Sequence, residues 1–294
     1  MTNEESDRAA SPVVARRWLG KELERLRKAD HRRQQDAANA MGCSVGRVSY
    51  IESGERPASV DELENVLLPL YQVPEADRPR YLAIAETANQ RGWWDEWDEA
   101  SLPSKLRRCI GLEDGARRMR SFQPSVIPGL LQTSAYTRAV MRSLVTNAEV
   151  DVTRQVELRR RRQAVLTREP NSLDVQFVLH EGALRTEIGG PGTLRSQLQH
   201  IAEVAEHQPN IDLRIVPFTA GGHGGFVGPF TIMIFEMEGD AGLVYVESFT
   251  RLDFLESPTD VQVYSDALDR LVDLALTPDQ SVQLARTLAT SYSD

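Results

Sequence analysis

A chain of 294 residues is long enough for two domains of the usual size, roughly 100–200 residues each, and its 41% hydrophobic content supports buried cores. No stretch approaches the roughly 18 consecutive apolar residues of a membrane span, the acidic N-terminus does not resemble a secretory signal, and two cysteines are too few for a disulfide framework. The net charge of −9 argues against a nucleic-acid partner unless the basic residues are clustered. We therefore expect a cytoplasmic protein.

The basic residues are clustered near the N-terminus, after a polar stretch at 1–12 that we expect to be a disordered tail. Residues 11–58 hold ten basic and six acidic side chains, a balance of +4 that leaves −13 for the remainder. Within this segment, residues 13–29 carry apolar side chains at three- and four-residue steps, which indicates an amphipathic helix. The charge distribution favours a small DNA-binding head joined to an acidic body.

Residues 34–53 have the pattern of a helix-turn-helix motif, whose second helix is predicted at 45–53. Ala38 allows two helices to cross closely, and Gly42 suits a turn that needs a positive φ. Ser44 is a good N-cap for the second helix. A plain helical hairpin is the alternative interpretation, but the combined requirements and the basic flanks favour DNA binding.

The second helix of this motif would lie in the major groove with its N-terminal residues at base edges. Arg47 is the best candidate for a bidentate contact to guanine, Val45 for contact with a thymine methyl group, and Gly46 permits a close approach. Gln35 lies near a helix N-terminus, where phosphate is favoured. The other candidates for DNA contact, each with a solvated surface side chain as its alternative, are Ser44, Ser49, Tyr50, Arg32, Arg33 and Arg56.

Helical periodicity continues to about residue 90, so residues 13–90 are predicted to form an all-α domain. A tryptophan-rich connector follows at 91–104, where Trp93, Trp94 and Trp97 lie among acidic residues. Three large aromatic side chains do not suit a flexible linker. Either they pack in an interdomain core or they contact a ligand or partner, and the sequence leaves both interpretations open.

Residues 105–294 are predicted to form an α+β domain with a mostly antiparallel sheet. Helical periodicity is found at 106–119, 132–144, 149–168 and 194–206 and again after 258. Alternation typical of strands is found at 173–179, 211–215, 230–237 and 243–246, the last two forming a hairpin. The segment 121–131 contains two prolines and a glycine, and we expect it to be irregular or extended.

Four adjacent arginines, at 159–162, lie in the helix predicted at 149–168. Because four consecutive positions cover every side of a helix, these residues cannot form one stripe. A solvated face with internal salt bridges, an extra phosphate contact, and a charged dimer or partner surface are all compatible with the pattern.

The second domain shows no specific catalytic, metal or cofactor motif. His180 and Glu181 follow a predicted strand, and the glycine-rich loop GGHGGFVG at 221–228 has backbone N–H groups that suit an anion. The loop matches neither the phosphate-loop nor the dinucleotide fingerprint, and the five histidines lack metal-ligand spacing. We therefore expect no enzyme, no cofactor and no metal. An enzyme with a DNA-binding head is the alternative, and it would depend on His180, Glu181 or His223.

The head resembles the Xre family, which has the lambda-repressor-like fold, through the segment RRQQDAANAMGCSVGRVSYIESGERPAS at 32–59. The resemblance implies that the acid at Glu52 packs structurally and does not contact DNA. A Ser or Thr cap usually stands in that family where this chain has Arg33. That departure implies a weaker start for the first helix of the motif.

Nearly all of the remaining chain resembles the C-terminal domain of a large group of actinobacterial regulators. The residues that carry the resemblance are WW at 93–94, LE at 112–113, IPGLLQT at 127–133, Tyr136, RQ at 162–163, EGALR at 181–185, GG at 189–190, QL at 197–198 and VP at 216–217. The resemblance implies an antitoxin-like transcriptional regulator, often encoded beside a small partner protein.

Together these features predict a nucleoid-associated homodimer that binds double-stranded DNA and is regulated through its C-terminal domain. Dimerisation is expected because one head supplies few DNA contacts. The alternative prediction is an antitoxin-type protein that binds a small partner protein and represses its own operon.

Overall fold

A computed structural model of the protein describes residues 11–99, 101–144, 151–222, 224–248 and 251–292. The chain divides into two compact units, the first reaching residue 98 and including 106–115, the second comprising 99–105 and the chain from 116 onward. The predicted domain boundary at residue 105 differs from this division, because residues 106–115 lie with the first unit.

The first unit is helical, as the sequence predicts. Its helices are α1 (Pro12–Ala29), α2 (Gln34–Met41), α3 (Val45–Glu52), α4 (Val60–Glu62), α5 (Leu68–Leu70), α6 (Arg78–Ala88) and most of α7 (Ser104–Gly115). A π turn, Leu63–Leu67, joins α4 to α5, and short 3-10 turns lie at Glu75–Asp77 and Trp93–Glu96. The two helices of the predicted helix-turn-helix motif, α2 and α3, are confirmed, and α3 ends at Glu52.

Helix α1 begins earlier than the sequence pattern indicates. Pro12 occupies its first position, where a fixed φ and a missing N–H are both tolerated. Ser11, which precedes it, is 2% exposed, and its Oγ donates a hydrogen bond to the carbonyl oxygen of Gly111 over 2.5 Å. The predicted disordered tail is therefore wrong at Ser11 and Pro12, and its first ten residues lie outside the described part of the chain.

Gly20 lets the backbones of α1 and α3 lie in close contact. A Cβ atom on Gly20 would lie 2.4 Å from the carbonyl oxygen of Ile51 and 2.7 Å from that of Glu52. Only glycine fits such an approach without a backbone shift. No local pattern in the sequence marks Gly20, because a helix crossing depends on residues distant in the chain.

The second unit contains a six-stranded mixed sheet with the spatial order β3–β2–β1–β4–β5–β6. Its strands are β1 (Arg118–Gln123), β2 (Asp174–His180), β3 (Ile211–Val216), β4 (Phe230–Ile234), β5 (Leu243–Glu247) and β6 (Leu252–Leu255). The pairs β1–β2 and β2–β3 are parallel, whereas β1–β4, β4–β5 and β5–β6 are antiparallel. The predicted α+β fold with a mostly antiparallel sheet is confirmed.

Two strands differ from the sequence interpretation. Met119 was predicted to lie in a helix, but α7 ends at Gly115 and Met119 belongs to β1. The polar Arg120 and Ser121 lie in the middle of β1, so this strand lacks the apolar alternation that identifies β2. The edge strand β6 has four residues and was not predicted, because so short a segment carries almost no periodicity.

In the described part of the second unit, six helices accompany the sheet: α8 (Ser134–Leu144), α9 (Val152–Gln163), α10 (Glu181–Arg185), α11 (Pro191–His207), α12 (Pro258–Leu274) and α13 (Pro278–Ser291). Helix α12 covers one face of the sheet, where Leu268 and Leu271 belong to the same buried cluster as Phe122 and Ile232. Helix α13 packs on α11 and β3. Within the described ranges, no helix is both long and apolar enough to cross a membrane.

The outer edge of β3 is hydrogen-bonded at Ile215 by Leu276, in the connection between α12 and α13, and by Ser281, near the start of α13. The backbone N–H of Ile215 donates to Ser281 Oγ over 3.0 Å, and the carbonyl oxygen of Ile215 accepts from the N–H of Leu276 over 2.9 Å. Ser281 is fully buried. Both backbone groups of Ile215 are therefore used within the chain.

Candidate nucleic-acid interface

The turn between α2 and α3 has the geometry that the sequence predicts. Ala37 and Ala38 on α2 are completely buried. Gly42 ends α2 with a φ of 64° and a ψ of 33°, which is the left-handed conformation that glycine adopts at little cost. The backbone N–H of Cys43 donates to the carbonyl oxygen of Ala38 over 3.0 Å, which fixes the turn before α3 begins.

Helix α3 divides into a buried face and an exposed face. Val48 and Ile51 are 2% and 3% exposed, so they hold the helix against the rest of the unit. Ser44 is the N-cap, and its side chain accepts a hydrogen bond from the N–H of Arg47 over 3.3 Å. On the other face, Val45 and Arg47 are half-buried and Gly46, Ser49 and Tyr50 are exposed.

Arg47, the main candidate for base recognition, is ion-paired with Glu62 on α4. Its Nη2 donates to both carboxylate oxygens of Glu62, over 2.7 and 2.9 Å. The side chains of Arg47 and Glu62 are 35% and 26% exposed, so solvent reaches the pair. Glu62 is not among the residues predicted from the sequence, although the Ser59-x-x-Glu62 spacing is a readable capping box.

The other predicted contact residues lie around α2 and α3 with varied partners. Arg32 pairs with Asp30 over 2.5 Å, and Gln35 donates to Asn39 over 2.9 Å along the exposed side of α2. Arg33 is exposed at the N-cap of α2. The guanidinium of Arg56 lies 5.7 Å from the centre of the exposed Tyr50 ring.

The N-cap of α2 is Arg33, which has no side-chain oxygen to accept a hydrogen bond as serine or threonine would, and a bond from its backbone N–H is found instead. The N–H of Arg33 donates to the carboxylate of Asp36 over 2.8 Å. Half of a capping box is thereby present at the position where the chain departs from the Xre pattern.

A buried ion pair ties the end of α3 to α1. Glu52 is 7% exposed and accepts from Arg27 through both oxygens, over 2.6 and 2.8 Å. Gln34, the first residue of α2, donates to the same carboxylate over 2.8 Å. The hydrogen bond to Glu52 raises the pKa of Arg27, although burial alone would lower it. Glu52 therefore packs structurally, as the resemblance implied, and Arg27 and Gln34 are the partners that sequence reasoning did not identify.

The tryptophan-rich segment packs inside the first unit. Trp94 and Trp97 are 2% and 8% exposed, and Trp93 is half-buried. Arg107 on α7 donates to the carbonyl oxygens of Trp94 and Trp97 over 2.6 and 2.7 Å. Burial at this level leaves the side chains of Trp94 and Trp97 little surface for a ligand.

Two arginines of the run at 159–162 make contacts within the second unit. Arg159 donates through Nη1 to the side-chain oxygen of Gln132, and Arg160 pairs with Glu157 over 2.9 Å on the same helix. These bonds are of the internal kind that the solvated-face interpretation of the run predicts.

Two of the candidate catalytic residues, His180 and Glu181, make hydrogen bonds within the second unit. Glu181 is 7% exposed and accepts from the N–H of Phe218 and from Arg185, over 2.8 and 2.7 Å. The Nδ1 of His180 accepts from the N–H of Gly182 over 3.2 Å and caps α10. His223 lies outside the described residues. In the described portions of the chain, no group of three or more His, Cys, Asp or Glu side chains is placed to hold a metal ion.

Comparison with known families gives two matches. Residues 18–80 match the family described as a helix-turn-helix domain, which supports a DNA-binding regulator. Residues 106–287, more than half of the chain, match the family described as a domain of unknown function, DUF5753. No curated protein and no solved structure matches the chain.

Proposed function

The chain belongs to the DUF5753 family, and we propose that it is a dimeric, sequence-specific transcriptional regulator whose helix-turn-helix domain reads the DNA major groove. The observation that carries the proposal is the geometry of α3. Val48 and Ile51 anchor one side of this short helix, and Ser44 caps its start. The opposite side presents a guanidinium and an exposed aromatic ring, and its residues are Val45, Gly46, Arg47, Ser49 and Tyr50.

The recognition contacts follow from the chemistry of these residues. Arg47 donates to O6 and N7 of a guanine, and Val45 contacts a thymine methyl group. Gly46 has no side chain, so the helix backbone approaches the base edges closely. Arg33 and Arg56, both exposed, contact phosphates and fix the position of the head on the duplex.

A single head of this size makes few contacts, so two heads act together. Two-fold related helix-turn-helix domains read half-sites about 34–36 Å apart, one helical turn of DNA. In the proposal, the second unit supplies the dimer contact and receives the regulatory input. The antitoxin-type alternative, with a small partner protein, rests on the sequence resemblance alone.

The test uses the full-length protein and a pool of duplexes with random sequence. Repeated selection should enrich one motif, and Arg47→Ala should bind the enriched duplex roughly 5- to 150-fold more weakly, since a bidentate arginine–guanine contact contributes about 1–3 kcal/mol of discrimination. The control is Arg286→Ala, because Arg286 is also a surface arginine paired with a glutamate, but it lies in the second unit. If Arg47→Ala binds the enriched duplex with an affinity within twofold of that of the unmodified protein, the assignment of α3 as the DNA-reading helix is refuted.

A further inference from the structure

The hydrogen bonds of Arg47 have a geometry that bears on how it recognises a base. A guanidinium has two edges that donate a pair of parallel hydrogen bonds, one formed by Nε with Nη2 and the other by Nη1 with Nη2. Both oxygens of Glu62 accept from Nη2. Since Nη2 belongs to both edges, a bidentate contact with guanine has to share this nitrogen, which carries two hydrogens, with Glu62.

Glu62 is held in this position by a second set of bonds. Its Oε2 accepts from the backbone N–H of Ser59 over 2.8 Å, and its own N–H donates to Ser59 Oγ over 3.1 Å. Burial raises the pKa of Glu62, but the hydrogen bonds from Ser59 and Arg47 outweigh burial and bring the pKa below its ordinary value. The carboxylate is therefore charged at neutral pH and fixed by the capping box of α4.

We infer that Glu62 is a specificity-determining residue of the DNA-binding domain, which competes with DNA for Arg47 and weakens binding to incorrect sequences. The inference rests on the proposed function. An unpaired arginine at the reading surface attracts any phosphate, whatever the sequence. Glu62 neutralises that attraction while the protein is free.

Correct and incorrect sequences differ in what they offer Arg47 in return. A guanine in the right position accepts two hydrogen bonds and compensates for the loss of the ion pair. A phosphate only exchanges one charged partner of Arg47 for another, and another base offers fewer acceptors, so neither gains as much from displacing Glu62. Selectivity therefore arises from a penalty on the incorrect partners as well as from attraction to the correct one.

The experiment compares Glu62→Gln with Glu64→Gln in the full-length protein. Glutamine is also a favoured residue at the third position of a capping box, so Glu62→Gln preserves the start of α4. Glu64 is exposed on the following turn, and its substitution removes the same charge without altering the Arg47 pair. The affinity of each protein is measured against a random-sequence duplex and against the duplex enriched by selection, over a series of salt concentrations.

Glu62→Gln should bind the random duplex about two- to fivefold more tightly than Glu64→Gln, the range expected for a partly exposed ion pair. Its salt dependence should steepen by about 0.9 in the logarithmic slope, because the freed arginine adds one phosphate contact. The ratio of enriched to random affinity should fall. Adding Arg47→Ala to Glu62→Gln should abolish the gain.

Equal affinities of Glu62→Gln and Glu64→Gln for the random duplex would overturn the inference, as would a gain that persists without Arg47. Either result would leave the proposed function intact if the unmodified protein still enriches a motif. Failure of the unmodified protein to bind any duplex, even at low salt, would refute the proposed function itself.

Discussion

Single residues fix both ends of α3, the helix proposed to read DNA. At its start, Ser44 accepts a hydrogen bond from the third residue of the helix. At its end, Glu52 accepts three hydrogen bonds, two from Arg27 on α1 and one from Gln34 on α2. The position of α3 therefore depends on one buried carboxylate that reaches two other helices.

Substitution of Glu52 by glutamine should destabilise the first unit by roughly 3 kcal/mol, because the guanidinium of Arg27 stays buried without its counter-charge. All four tryptophans of the chain lie in the first unit, so the thermal shift of tryptophan fluorescence reports on that unit. The exposed Glu55, substituted in the same way, serves as the control. A change in midpoint no larger than that of Glu55→Gln would show that the buried pair contributes little.

At the scale of secondary-structure elements, α1 and α3 carry two glycines with opposite requirements. A Cβ on Gly20 would collide with the backbone of α3, whereas a Cβ on Gly46 would have Ser44 Oγ, 3.8 Å away, as its nearest neighbour among the described residues. Glycine costs a helix about 1 kcal/mol relative to alanine. Packing therefore explains why residue 20 is a glycine but not why residue 46 is one. A glycine at position 46 fits the proposed close approach of the helix backbone to DNA.

The two glycines give a matched pair of substitutions with opposite effects on stability. Gly20→Ala should destabilise the first unit by about 1–3 kcal/mol through overpacking. Gly46→Ala should stabilise it by about 0.4–1 kcal/mol and yet weaken binding to the enriched duplex. Tryptophan fluorescence during denaturation measures the first effect, and anisotropy of a labelled duplex measures the second. Unchanged or tighter DNA binding by Gly46→Ala would contradict the close approach at this position.

Local chemistry explains which elements could be predicted from the sequence. Gly42 and Ser44 carry backbone requirements that are readable within a few residues, and α2 and α3 were found from them. By contrast, β1 carries polar residues in its middle and β6 is too short to show a period. The Arg47–Glu62 pair joins α3 to α4, so it depends on tertiary packing that no local pattern shows.

At the scale of the whole molecule, charge is distributed unevenly between the N-terminal segment and the rest. The segment 11–58 carries +4 within a protein of net charge −9. Because affinity for DNA depends on the local arrangement of cations, the acidic total does not oppose the proposed function. It limits non-specific attraction elsewhere on the chain.

We expect the full-length protein to be a dimer in solution, because one head supplies too few contacts for tight binding. Light scattering should give twice the 32.9 kDa mass of one chain. The enriched motif should correspondingly contain two inverted half-sites. A monomeric mass together with a single, asymmetric motif would contradict the dimer. It would indicate that one helix-turn-helix domain binds one site alone.

The closed edge of β3 has a consequence for how the chain can be cut or fused. Ser281 and Leu276 use the hydrogen-bonding groups through which Ile215 would otherwise recruit another strand. A chain truncated before Pro278, or one in which a fused domain displaces α13, loses Ser281 and frees the N–H of Ile215. An unpaired N–H at a sheet edge can pair with a strand of another chain, so we expect a fusion that disturbs α13 to make the protein more prone to associate through this edge.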